Sequence, residues 1–285
     1  MSGFLQALAH HTFLQNALLA GILASIGCGI MGTYVVVKRI GFLAGGIAHA
    51  VLGGMGIAYY LDQSPIRGAL AAALLAAVVI GWVNLRGHEH EDTLIAALWS
   101  LGMAVGILFI SQTPGYNIDL MSYLFGNILM VSRADLVLMG GLDAVIVLNV
   151  LLFRKQFLAV TFDQEFAKVR GVNVALFYLL LLCLVALTVV LLVQVVGLVL
   201  VIALLTLPAA IAAQYVASVG RMMWVAMALG AMFTTTGLAL SYEPNLPAGA
   251  TIILLAGSSY LLSTVAAAIR RRGLTRGRPT AAAPK

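Results

Sequence analysis

The residue whose surroundings point most directly to chemistry is His49, in the run FLAGGIAHAVLGGMGIAYYL. Gly45 lies four residues before it and Gly53 four after it, so on an α-helix the three share one face, with Gly56 close by. The imidazole then projects from a stripe almost without side chains, leaving room for an ion that keeps some of its waters. A neutral imidazole offers one lone pair to zinc-, manganese- or iron-class ions. The same letters also spell a helix-packing seam. Gly46, Ala50, Gly54 and Ala58 form a small-xxx-small row, with His49 bonded only to a neighbouring carbonyl. Ligand and seam are both open on these residues.

Asp143 is the second candidate, mid-way along LVLMGGLDAVIVLNVLLF with Asn149 about two turns later. An unpaired carboxylate at the centre of a bilayer costs roughly 2.5 to 3.5 kcal/mol on the milder insertion scale, so it must face protein or water. A place on an ion path and a hydrogen-bonded contact between helices both meet that demand. In the turn RGHEHED, His88 and His90 stand beside Glu89, Glu91 and Asp92, a dense set of nitrogen and oxygen donors. It reads either as an exit site for an emerging ion or as a solvated loop, because consecutive residues in a short turn seldom converge on one ion. Cys28 and Cys183 sit inside apolar runs without CxxC or Cys/His spacing and read as small core residues.

The elements that must position these groups are set by composition. Of 285 residues, 62% are hydrophobic and 9% charged, far from the mix of a soluble domain. A bilayer core of about 30 Å needs about 20 apolar residues per helix. Runs of that length lie at about 13–37, 42–61, 66–85, 93–112, 134–153, 174–195, 197–216, 222–241 and 247–269. The expectation is an all-α polytopic membrane protein with eight or nine transmembrane helices. The count turns on Val195, Val196 and Gly197, where two runs meet without a polar loop, and residues 124–132 are too short to cross. The first helix lacks the basic flank and cleavage site of a signal peptide and is expected to stay.

Orientation follows from Lys and Arg, which gather in cytoplasmic loops. With nine spans and the N-terminus outside, every one of the 16 except Arg67 and Arg133 falls inside. The expected divisions are an extracytoplasmic N-terminus (1–12), a transmembrane domain (13–269) and a basic cytoplasmic tail (270–285). The net charge of +6 is thus topological rather than a sign of nucleic-acid binding. The longest inside segment, 154–175, holds QEFAKVRG, a short amphipathic helix ending at Gly171. Such a helix rests on lipid headgroups or on a partner protein.

The stretches VGLVLVIALLTLPAAIAAQYVAS (196–218) and GLALSYEPNLPAGATIILLAGSSYLLS (237–263), with LFGNILMVSRADL, FDQEFAKVRGV and GFLAGGIAHAVLGG, strongly resemble the ABC-3 family of metal-ion permeases over nearly all of residues 12–270. The SYEPNLPAGA turn is the specific part, and Pro244 and Pro247 there prevent a helix from running on. The resemblance implies a homodimeric permease of the bacterial cytoplasmic (inner) membrane that imports divalent transition-metal ions such as zinc, manganese or iron. It implies a separate ABC ATPase subunit and an extracytoplasmic metal-binding protein as partners. The metal is cargo, and no permanently bound cofactor is implied. It makes Glu165, Ala167 and Gly171 parts of the coupling helix seated on the ATPase, and it places His49 on the translocation path. The family often has an acidic residue four positions before that histidine, where this chain has Gly45. No GxxxxGK[ST] occurs, so the chain is expected to be non-catalytic, with ATP hydrolysed by its partner. The competing readings are a permease for a metal chelate, a secondary transporter or channel working without ATP, and a scaffold without transport.

Overall fold

The structure, a computed structural model, describes residues 2–87, 91–113, 126 and 128–276. Among these there are helices and turns and no strand. The helices are α1 (Ser2–His10), α2 (Thr12–Lys38), α3 (Gly41–Tyr60), α4 (Pro65–Leu85), α5 (Glu91–Ser111), α6 (Arg133–Leu152), α7 (Arg154–Phe162), α8 (Gln164–Val169), α9 (Val174–Tyr215), α10 (Val219–Tyr242) and α11 (Ala248–Arg276), with a 3-10 turn at Ile128–Met130. Nine stretches among the described residues are long and apolar enough to cross a membrane, the two halves of α9 counting separately. Their bounds follow the expected runs to within a few residues.

The ambiguous junction is resolved inside α9, where Gly197 alone is non-helical, at φ 77° and ψ 166°. That conformation is open only to glycine. Gly126, itself at φ 63°, abuts the same point, and a side chain there would run into the backbone of Val196 and Gly197. Of the segment 124–132, Leu124, Phe125 and Asn127 lie outside the described residues. The rest forms the 3-10 turn and enters α6 through a capping box, in which the Ser132 amide donates to Asp135 Oδ2 at 2.9 Å and the Asp135 amide to Ser132 Oγ at 3.2 Å. The N-terminal residues form the short helix α1, anchored by Phe4, which meets Tyr242 edge-on at 5.9 Å.

Helix packing follows small residues. In lipid, helices associate through close backbone approach and interhelical contact rather than through expulsion of water. The α3–α5 pair is the most extensive example: a Cβ on Gly53 would sit 2.9 Å from the Gly102 carbonyl oxygen, and one on Gly56 2.6 Å from that of Gly106. On its other side, α3 meets α4 where Gly54 and Gly68 face each other backbone to backbone. Both α2 and the first half of α9 run through the centre, burying Tyr34, Tyr178 and Phe157 completely. Three buried hydroxyls are satisfied within their own helices: Ser25 donates to the Gly21 carbonyl at 2.6 Å, Thr33 to Gly29 at 2.7 Å and Thr188 to Leu184 at 2.8 Å.

Candidate functional site

His49 sits in α3 on the side packed against α5. Only 8% of it is exposed, and its Nδ1 lies 2.8 Å from the Gly45 carbonyl oxygen. A carbonyl can only accept, so Nδ1 carries the proton and Nε2 keeps the lone pair. The ring lies nearly parallel to the Trp99 indole, with centroids 3.9 Å apart and planes 19° from each other. The glycine stripe is therefore not an empty channel. A Cβ on Gly45 would stand 2.8 Å from Trp99 Cζ3, and the Gly53 and Gly56 positions are filled by α5 backbone. The gap expected beside His49 is absent because α5 has closed over it, and the seam and the buried imidazole exist together. Residue 45 is a glycine whose side-chain space Trp99 occupies.

Asp143 lies in α6 on the face turned to α2 and α9, 5% exposed. Its Oδ1 and Oδ2 are both buried and have no hydrogen-bond partner. It faces Gly27, where a Cβ would come within 2.8 Å of Asp143 Oδ1. The surrounding hydroxyls already serve their own helices, so the carboxyl group is held against nearly bare backbone. Asn149 is turned elsewhere, its Nδ2 donating to the Val145 carbonyl at 2.8 Å. His49 and Asp143 belong to different helix pairings. Among the described residues no three His, Cys, Asp or Glu side chains converge on one point.

Of the RGHEHED turn, His88, Glu89 and His90 lie outside the described residues. Glu91 opens α5, and Asp92 is exposed at the rim of a cavity of about 220 Å³ that is also lined by Lys38, Arg39, Asn84 and Tyr178.

The segment 154–175 folds into two short helices, α7 and α8, and local chemistry fixes both ends of the second. Asp163 caps its start, Oδ1 accepting from the Phe166 amide at 2.9 Å. At its end Gly171 takes φ 76°, while the Val172 amide donates to the Ala167 carbonyl at 3.0 Å and the Gly171 amide to Lys168 at 3.0 Å. This is a glycine-terminated helix end. Ala167 is fully buried and Glu165 points outward. The sequence reading missed the apolar face beside Glu165: Phe162, Phe166 and Val169 are 67%, 53% and 87% exposed. Phe166 and Val169, three apart, share one face of the second short helix, and Phe162 ends the first just before it. Trp99 was also missed, and nothing near it in the sequence links it to His49, fifty residues earlier.

A bundle with nine span-length helices among its described residues, ionisable groups inside it and a short, doubly capped helix presenting an apolar face is that of a multi-pass membrane protein. The chain belongs to the ABC 3 transport family, whose profile matches residues 10–267. It is 48% identical, over 92% of its length and 93% of the other, to a membrane protein of Synechocystis sp.. It is 34% identical to a manganese transport system membrane protein of Halalkalibacterium halodurans, over 91% of this chain and 89% of that one. The solved structure of PsaBC from Streptococcus pneumoniae in complex with Fab superposes with a TM-score of 0.83 at 34% identity, covering 92% of this chain and 94% of that one. Family, span count and relatives together make this a multi-pass protein of the bacterial inner membrane.

Proposed function

We propose that this chain is the permease subunit of an ABC importer for divalent transition-metal ions, with manganese the first ion to test. It works as a homodimer, with the N-terminus outside and the C-terminus inside. An ATPase subunit docks on α7 and α8, and an extracytoplasmic binding protein delivers the ion. The relatives carrying manganese in their names support the choice of ion, and the Lys and Arg distribution supports the orientation.

The single observation that carries the reading is Asp143. This carboxyl is buried with both oxygens unpartnered, and unlike the buried hydroxyls of Tyr34 and Thr161, which also lack a hydrogen bond, it can carry a full negative charge. A cation crossing the bundle gives such a group its missing partner for part of the cycle. Weak, transient coordination suits transport, since an ion held by a complete ligand set would not leave. His49, presenting Nε2, supplies the nitrogen donor. At α8, Glu165 and the exposed Phe162, Phe166 and Val169 form the docking face, Ala167 ties that face to the bundle, and Gly171 ends the helix. If an ion meets the RGHEHED turn on leaving, Asp92 stands at the cavity through which it would pass.

The test is uptake of radiolabelled manganese, zinc and iron(II) into cells lacking their own importers, with the permease expressed beside its ATPase and binding protein. Uptake should require all three proteins and fall strongly in Asp143→Ala and His49→Ala. Ion flux through the permease alone, in vesicles without ATP, would overturn the ABC reading in favour of a secondary transporter or channel.

A further inference from the structure

The glycines of α3 are not equivalent. Gly53 and Gly56 face the backbone of Gly102 and Gly106, and a Cβ on Gly102 would in turn lie 2.7 Å from the Ala50 Cα and from the His49 carbonyl oxygen. Those positions are locked backbone to backbone. At Gly45, by contrast, the three nearest atoms to a Cβ all belong to one side chain, the Trp99 indole, with Cζ3 at 2.8 Å, Cη2 at 3.5 Å and Cε3 at 3.6 Å. Gly45 is not among the residues of positive φ. Its glycine is needed for the indole's sake and not for the chain's.

We propose that Trp99 is the positioning residue of His49: the indole, seated in the space that Gly45 leaves, holds the imidazole plane so that Nε2 faces the passing ion. The proposal rests on the reading of His49 as an ion-path residue. Two contacts define the ring. The Gly45 carbonyl fixes the tautomer through Nδ1, and the stacked indole fixes the rotation of the ring about its Cβ–Cγ bond. Without the indole, the Nδ1 hydrogen bond alone opposes that rotation, so the plane ranges more widely, and the lone pair, which lies in that plane, ranges with it. The lone pair leaves at the ring's edge, so an indole on the ring's face orients it without covering it. Trp99 also meets Phe42, with ring centroids 5.7 Å apart and planes tilted by 32°, and the locked seam further along keeps α5 at a fixed distance. His49 is thus preorganised by a side chain from another helix.

The experiment is a double-mutant cycle on ion uptake by the complete transporter, with radiolabelled manganese and zinc as the probes and each variant corrected for membrane abundance. Trp99→Ala should raise KM by about two- to tenfold, the value of one stacked aromatic pair, with little change in maximal rate. Trp99→Phe should restore most of the loss. Gly45→Ala, whose new methyl displaces the indole, should raise KM by a similar factor in the parent and do nothing further in the Trp99→Ala background. A spectroscopic arm uses the full-length permease in nanodiscs with Trp82→Phe and Trp224→Phe, leaving Trp99 as its one indole. Its emission should change on adding manganese or zinc chloride, and His49→Ala should abolish that change. Equal effects of Gly45→Ala in both backgrounds, or an ion response that survives His49→Ala, would overturn the proposal even where His49→Ala stops uptake. Normal uptake by His49→Ala would remove the ion-path reading itself, and the positioning role with it.

Discussion

Replacing Asp143 with alanine should make the protein more stable and stop it from transporting. A charged carboxylate at mid-membrane costs about 2.5–3.5 kcal/mol, and here neither oxygen recovers any of it through a hydrogen bond. If a proton neutralises the group, the cost falls to that of a buried, unpaired polar group, about 1–3 kcal/mol. Truncation to alanine leaves a void of about one water, roughly 30 Å³, worth about 0.7 kcal/mol at ~24 cal/mol per Å³. The net is a gain of about 2 kcal/mol for the charged form and about 1 kcal/mol for the neutral one, with the same sign in both. The assay is the midpoint of SDS-induced unfolding in mixed micelles without transition metal, read beside manganese uptake in cells. A group kept at a stability cost is kept for activity, so uptake should fall at least about tenfold, a loss of 1.4 kcal/mol or more in transition-state binding. An alanine variant less stable than its parent would refute the reasoning, since it would mean that the assembled transporter gives Asp143 a partner. A stabilised variant with full uptake would instead remove Asp143 from the ion path.

Other expectations are more local. His49→Asn retains polarity and approximate size but is a poor transition-metal ligand, so manganese uptake should fall greatly at normal membrane abundance, and near-normal uptake would make His49 a packing residue. Uptake should also fall as external pH is lowered, because a second proton on the imidazole removes the Nε2 lone pair, and His49→Ala should lose that sensitivity along with most of the transport. Gly171→Leu has no steric obstacle, with nothing within 4 Å of its Cβ, but forces a side chain into φ 76° at about 1–2 kcal/mol. It should insert normally yet uncouple ATP hydrolysis from uptake, as measured on the purified complex. Phe166→Asp should reduce co-purification of the ATPase while leaving the thermal stability of the permease unchanged, since the ring is largely exposed.

The helices were legible in the sequence because bilayer thickness converts directly into a run length, and each run ends where a charge, a proline or a glycine makes continuation expensive. The junction at Gly197 was not settled in that way. Its break lies in one residue's φ and ψ, and the neighbours that hold it there, Gly126 above all, come from seventy residues earlier in the chain. The candidate site divides on the same line. Asp143 stood out because a carboxylate in an apolar run is anomalous by itself, and the anomaly survives folding with both oxygens still unpartnered. Gly171 stood out because a glycine after an amphipathic turn is a local signal for a helix end.

His49 shows where local reading stops. Its sequence neighbours describe a bare stripe, and bareness has two outcomes: room for an ion, or room for another helix. Which one forms depends on whether a second stripe of small residues exists at matching spacing elsewhere. Gly102 and Gly106 provide it, four residues apart, against Gly53 and Gly56, three apart. Once these backbones meet, Gly45 lies opposite Trp99, and the imidazole one turn away from Gly45 lies against that indole. A glycine at position 45 therefore does not leave the histidine unsupported. It admits an aromatic neighbour, and on the proposed path the ion would meet a single nitrogen donor at His49, with the carboxylate chemistry left to Asp143 on a different helix.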